Sequence, residues 1–341
     1  TDVNGENHSL SFSFERYDGT NPSYSELCEA SNGKLYGVTQ NGGINGLGVL
    51  FEYDPSNGSY TEKIHFDLTS KGGNMTGSLI EANNKLYGMT EIGGAFNQGV
   101  IFEYDPATDI FVKKIDFNNV SKGGSPHGSL VQADNGKLYG MTRLGGTNNI
   151  GVLFEYDPSD NSFTKKIDFD ATSKGSKPYG SLVEATNNKL YGMTKLGGTN
   201  NIGVLFEYDP SDNSFTKKID FDITNNGKYP TGSLFLASNG QLYGMTQLGG
   251  TANKGVLFEY DSSDNSFTKK IEFDGINMGQ NPYGSLIQAS DGMLYGMNES
   301  GGISSKGVLF EYNPGSGTIT KKIDFDGSSK GANPLGSLIQ A

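Results

Sequence analysis

Three histidines, one cysteine and a surplus of carboxylates are the side chains in this sequence with ready covalent, metal or proton-transfer chemistry. His8, His65 and His127 fall near the N-terminus, in a charged run and before a Gly-Ser pair. A zinc site needs three or four ligands at fixed spacing, and these three share no local pattern, so they read as surface or packing side chains. Cys28 stands alone, which excludes an internal disulfide framework and leaves the cellular compartment open. It aligns with Ile287, an apolar position, and reads as a small buried hydrophobe, not as the crosslink of a Tyr/His copper centre. The one G-x-S-x-G match, "GSSKG" at 327–331, opens no helix, so the setting of a nucleophile elbow is missing. The "DPSDNS" stretches at 157–162 and 209–214 bring Asp and Asn oxygens together, which leaves calcium as the one candidate cation; they lack the residue order of an EF-hand and read as capped turns. Paired carboxylates could drive glycoside hydrolysis.

The carboxylates are best weighed by what recurs. "NGKLYGVTQNGG" at 32–43 returns five times, with the leucine of Leu-Tyr-Gly at 35, 86, 138, 190, 242 and 294, steps of 51, 52, 52, 52 and 52. A fixed period of this size announces a repeat architecture. Asp168 and Asp170 have acidic counterparts in most other copies, which points to structure, because a catalytic site needs asymmetry. The third copy divides into four β-type runs, Ser129 to Ala133, Leu138 to Thr142, Val152 to Tyr156 and Phe163 to Phe169, separated by Asp-Asn-Gly and Asp-Pro-Ser-Asp-Asn turns. The first three runs carry apolar residues on both faces. The fourth carries Lys165 and Lys166 and reads as a charged edge that discourages edge-to-edge pairing, so Lys166→Leu is expected to alter stability little while promoting association.

Sheets buried on both faces with one charged edge are what propeller blades need. The fold expected is all-β, a β-propeller of four-stranded antiparallel blades with a 52-residue repeat. Six blades are expected, seven being the alternative, since "SFERYDG" at 13–19 resembles another edge strand and "GSLIQA" at 336–341 another inner one. The whole chain reads as a single domain of units at about 25–76, 77–127, 128–179, 180–231, 232–283 and 284–335, with partial segments at 1–24 and 336–341.

A net charge of -12 argues against nucleic acid, whose phosphates call for clustered Lys and Arg, and against anionic membrane surfaces. No run reaches the length of a membrane-spanning helix, so no membrane insertion is expected. The opening "TDVNGENHSL" has neither a starting Met nor a signal-peptide pattern and reads as a mature or excised segment.

The unit "GSLIQASDGxLYGM…GG…GVLFEY(D/N)P…KKIDFDG" resembles the tandem GloVer-type repeat of secreted and surface proteins from Bacteroidota and related bacteria, over almost the whole chain. More distantly it is similar to kelch-like propellers, although Gly145-Gly146 lies farther from the Leu-Tyr strand than the kelch glycine pair does. The resemblance implies export and surface exposure, hence an extracellular or cell-surface location.

Function is expected where the copies stop agreeing. The residue before the inner-strand glycine reads Thr76, His127, Tyr179, Thr231, Tyr283 and Leu335, and the residue after the Leu-Tyr-Gly strand reads Gln40, Glu91, Arg143, Lys195, Gln247 and Glu299. Both sets belong to the loop-rich face around the central channel, where rings and polar groups suit stacking on sugars and bonding to hydroxyls. The expectation is a binding or adhesion module for an extracellular glycan or surface protein, not an enzyme and without a cofactor. The alternative is a structural spacer or assembly element of a larger surface protein, and a propeller glycosidase stands behind both.

Overall fold

Each copy folds into one antiparallel sheet whose four strands hydrogen-bond in sequence order, as its turn residues require. In the fourth blade these are Val183–Glu184, Leu190–Thr194, Val204–Asp209 and Ser214–Asp220. The computed structural model describes residues 19–21 and 25–338 and contains six such sheets, with no helix among the described residues. The fold is a six-bladed β-propeller. Blades three and six gain a short extra strand, Gly124–Pro126 and Gln280–Pro282, beside the far half of the Leu-Tyr-Gly strand. Residues 13–18 and 339–341, on which the seven-blade alternative rested, lie outside the described residues, as does His8.

The chain divides into two compact units. The described residues up to 170 hold blades one to three, and those from 171 to 338 hold blades four to six. In each unit the core lies between neighbouring blades. Between blades four and five it joins Tyr191, Met193 and Leu205 of one sheet to Leu242, Val256, Phe258 and Tyr260 of the next, all buried. Aromatic rings dominate such interfaces because each buries a large area and packs favourably edge-on or offset; Tyr191 and Tyr260 meet at 5.9 Å and Phe221 and Phe258 at 5.7 Å.

The mid-strand glycine of Leu-Tyr-Gly makes room for this packing. A Cβ on Gly192 would lie 2.6 Å from the Phe206 ring and 2.8 Å from Leu182, and the same holds at Gly140 with Phe154 and Leu130. A second set of glycines seats one copy against the next. A Cβ on Gly180 would lie 2.3 Å from the Gly232 carbonyl oxygen, and one on Gly232 would lie 2.4 Å from that of Gly284. The serine after each of these glycines extends the joint: the Ser181 amide donates to Ser233 Oγ at 2.8 Å, Ser233 to Ser285 at 3.0 Å and Ser285 to Ser337 at 2.9 Å. In the other unit Glu26 donates to Ser78 and Ser78 to Ser129 in the same way.

The edge strand departs from the simple alternation expected of it. A register shift between Leu153 and Phe154 opposite Lys165 and Ile167 inserts one extra residue, a β-bulge, and the same shift recurs in every blade. The bulge gives the two lysines different partners: Lys165 meets Asp168 at 2.6 Å, whereas Lys166 meets the buried Glu155 at 3.0 Å. Lys166→Leu is therefore expected to destabilise, contrary to the reading of this lysine as a free solvent-facing charge, because it strips a buried carboxylate of a counter-ion.

The sixth copy leaves a buried hydroxyl unmatched. The buried tyrosine of the third strand donates its hydroxyl to a residue of the following turn, Tyr156 to Asn161, Tyr208 to Asn213 and Tyr260 to Asn265, each at 2.9 Å. In blade six the equivalent turn residue is Gly317, and the buried Tyr312 hydroxyl has no partner among the described residues. Gly317 has a φ of +72° and open space around a would-be Cβ; Asn161, Asn213 and Asn265 hold φ of 60°, 61° and 64°. Gly317→Asn is expected to raise stability by about 1 kcal/mol, measured by urea unfolding, by completing the hydrogen bond.

Candidate ligand-binding site

The positions singled out for variability lie where two loop segments meet. The residue before each inner-strand glycine follows a proline, or Met75 in one copy, and the residue before that one is left-handed, as in Lys177, Tyr229 and Asn281 at φ of 53°, 58° and 57°. This kink carries backbone bonds to the strand ends: the Lys195 amide donates to the Lys177 carbonyl and the Gln247 amide to that of Tyr229, both at 3.1 Å. The two variable sets are thereby held side by side.

In the unit of residues 171–341 the Lys195 ammonium stands 4.8 Å from the centre of the Tyr179 ring, a cation–π contact. Tyr283 is hydrogen-bonded by Gln247; burial raises its hydroxyl pKa, with Glu299 and Tyr179 adding to the rise. Glu299, half-buried at the end of the strand Leu294–Ser300, has its carboxyl pushed above the ordinary glutamate value by burial. Thr231 is only 6% exposed, and its hydroxyl has no partner among the described residues. Tyr179, Tyr283, Lys195, Gln247 and Glu299 thus form one half-buried polar and aromatic stretch over three successive blades, with Thr231 buried beneath the surface.

In the unit of residues 11–170 the same positions close on themselves. Arg143 donates to Glu91 at 2.6 Å, neutralising both charges; Thr76 is buried and His127 half-buried.

The other chemically capable residues serve structure. Asp168 accepts the Thr147 amide at 2.9 Å and fastens a loop, and Asp157 and Asp160 accept amides of their own turn, so the "DPSDNS" stretches are capped turns. No cluster of three or more His, Cys, Asp or Glu side chains capable of holding a metal occurs among the described residues. Cys28 is packed against the core, and burial pushes its thiol up to about 11, with Glu81 adding to the rise.

Sequence reasoning missed a repeated buried carboxylate on the short-turn side of the blades. Glu207, 6% exposed, accepts from Tyr191 at 2.6 Å and from Lys189 at 3.0 Å, with Lys218 at 2.9 Å. Glu52, Glu103 and Glu155 have equivalent partners. The available signal was a tyrosine and a glutamate recurring 16 residues apart in every copy.

Blades of this kind, joined by repeating turns, make the chain a tandem-repeat β-propeller. It belongs to the Gloeobacter/Verrucomicrobia repeat family, which it matches over residues 1–187 and again over 171–341. Neither a kelch relationship nor a Bacteroidota source follows from that match. No protein of curated function matches the chain.

Among solved structures, the extracellular domain of BT4673, a proposed one-component system of B. thetaiotaomicron, is 16% identical with a TM-score of 0.65. The match covers 92% of this chain and 35% of that one, so the chain spans about a third of its length. The Pseudomonas aeruginosa periplasmic gluconolactonase PpgL is 17% identical with a TM-score of 0.61, covering 92% of this chain and 87% of that one. A proposed 6-phosphogluconolactonase of Bacteroides fragilis is 15% identical with a TM-score of 0.59, covering 93% and 86%. These neighbours correct the expectation that the chain is not an enzyme: the fold it shares is one on which gluconolactonases are built. Repetition of the acidic residues had argued against catalysis, but a repeated scaffold leaves its loops free to differ. No helix is long and apolar enough to cross a membrane among the described residues.

Proposed function

We propose that this propeller recognises an extracellular glycan through the loop segments of residues 171–341. The observation that carries the reading is the grouping of Tyr179, Tyr283, Lys195, Gln247 and Glu299 on successive blades, at positions that vary from copy to copy while the rest of the repeat keeps its sequence. Tyrosines offer apolar ring area together with a hydroxyl, and an amide and charged groups beside them can pair with sugar hydroxyls. Likeness to an extracellular domain supports placing the chain outside the cell. On a glycan array, Tyr179→Ala and Tyr283→Ala are expected to weaken binding at least about tenfold, while Asp160→Ala and Asp212→Ala in the short turns leave it unchanged. Equal binding by both sets would locate the site elsewhere.

A second reading, hydrolysis of a sugar lactone at the same loops, is favoured by Glu299, a half-buried carboxyl among the variable loop residues that burial raises above the ordinary glutamate value, the direction a general acid or base is tuned. Gluconolactone hydrolysis above the spontaneous rate, lost in Glu299→Gln, is the result it requires.

A further inference from the structure

The position occupied by Glu299 shows elsewhere in the chain what it accepts. Glu91 stands at the equivalent place, after the Leu-Tyr-Gly strand of its own blade, and receives the Arg143 guanidinium at 2.6 Å. Glu299 is half-buried, its backbone lies in the ladder with Gln280–Pro282, and its carboxylate makes no hydrogen bond or ion pair among the described residues. The neighbouring groups are already engaged: the Lys195 ammonium lies over Tyr179, and Gln247 bonds to Tyr283. A carboxylate in a partly dry site is stabilised by an opposite charge more than by any neutral partner. The net charge of -12 draws cations toward the chain as a whole.

We infer that Glu299 receives the ammonium group of an amino sugar, standing to that ligand as Glu91 stands to Arg143. The inference rests on the glycan reading above and adds to it the ligand's charge and the residue that selects it. The sugar ring lies along the Tyr179–Tyr283 stretch, and its free amine reaches the end of the strand Leu294–Ser300. An N-acetylated sugar carries no charge there and leaves the carboxylate unpaired.

Isothermal titration of a glucosamine trisaccharide and of its fully N-acetylated counterpart, near neutral pH and at low salt, tests this. The free-amine form is expected to bind about tenfold tighter to the parent protein. Glu299→Gln is expected to bring the two ligands to the same affinity. Asp160→Asn removes one negative charge from a distant turn and is expected to preserve the preference. If the two trisaccharides bind the parent equally, the amine assignment falls while the glycan reading stands. If the preference survives in Glu299→Gln, or disappears equally in Asp160→Asn, binding follows overall charge and the assignment also falls. If neither trisaccharide binds and the array is blank, the glycan reading fails and the inference with it.

Discussion

Gly192→Leu is expected to lower the stability of the protein by about 3 kcal/mol or more, the upper part of the range for overpacked cores. The reason is local. Even a methyl group at this position would sit 2.6 Å from the Phe206 ring and 2.8 Å from Leu182, and the Phe206 ring is itself stacked on Phe215 at 4.9 Å. A close-packed interior with full side chains on both sides cannot yield to four added carbons without moving the strand. Gly192→Ala should fall between parent and leucine variant. Urea unfolding followed by tyrosine fluorescence reads the series; a leucine variant with the parent's midpoint would show that the strand is not sandwiched between full side chains.

Glu207→Leu is expected to cost about 3 kcal/mol, since it removes one member of a buried charged network and leaves the others unmatched. The Tyr191 hydroxyl, Lys189 and Lys218 all converge on this carboxylate. Lys189 is exposed enough to turn to water, whereas Lys218, with 15% of its side chain exposed, is not. Burial alone would raise the Glu207 carboxyl, but the hydrogen bonds from Tyr191, Lys218 and Lys189 outweigh it and hold its pKa below the ordinary glutamate value. Glu52, Glu103 and Glu155 are lowered for the same reason. A carboxylate with a depressed pKa in the folded state binds fewer protons there than in the unfolded chain. Its stabilisation is therefore fully present above the unfolded glutamate value of about 4.3 and is lost as pH falls through the folded one. Acid unfolding below about pH 4 should accordingly be steep in the parent and shallower in Glu207→Leu. A variant with an unchanged acid limb would mean that this network does not drive the transition.

What the sequence made legible was whatever repeats locally. The period, the order of strands and turns and the crowded glycine at 140 or 192 follow from short-range patterns of apolar and turn residues, whereas the inner strand expected over Ser129 to Ala133 pairs only over Val131–Gln132. The partners of Lys165 and Lys166 could not be read that way, because two identical side chains are told apart only by a bulge in the pairing register. The Glu207 network escaped for a related reason, since its members come from three strands and look like ordinary surface residues taken singly. At the candidate site the variable positions were visible in the aligned copies. Their company was not: Arg143 meets Glu91 from 52 residues away.

The serine joints carry a consequence for how such a chain can change over time. Ser78, Ser233 and Ser285 each contribute one amide to the copy after and one hydroxyl oxygen to the copy before. A duplicated segment of one period that carries such a serine therefore arrives with both halves of the joint already in place and can be spliced beside another serine-bearing copy without a compensating mutation. Selection on the joint is then blind to which copy occupies which place, so the copies can be shuffled, lost or multiplied by unequal recombination while the loop residues diversify independently.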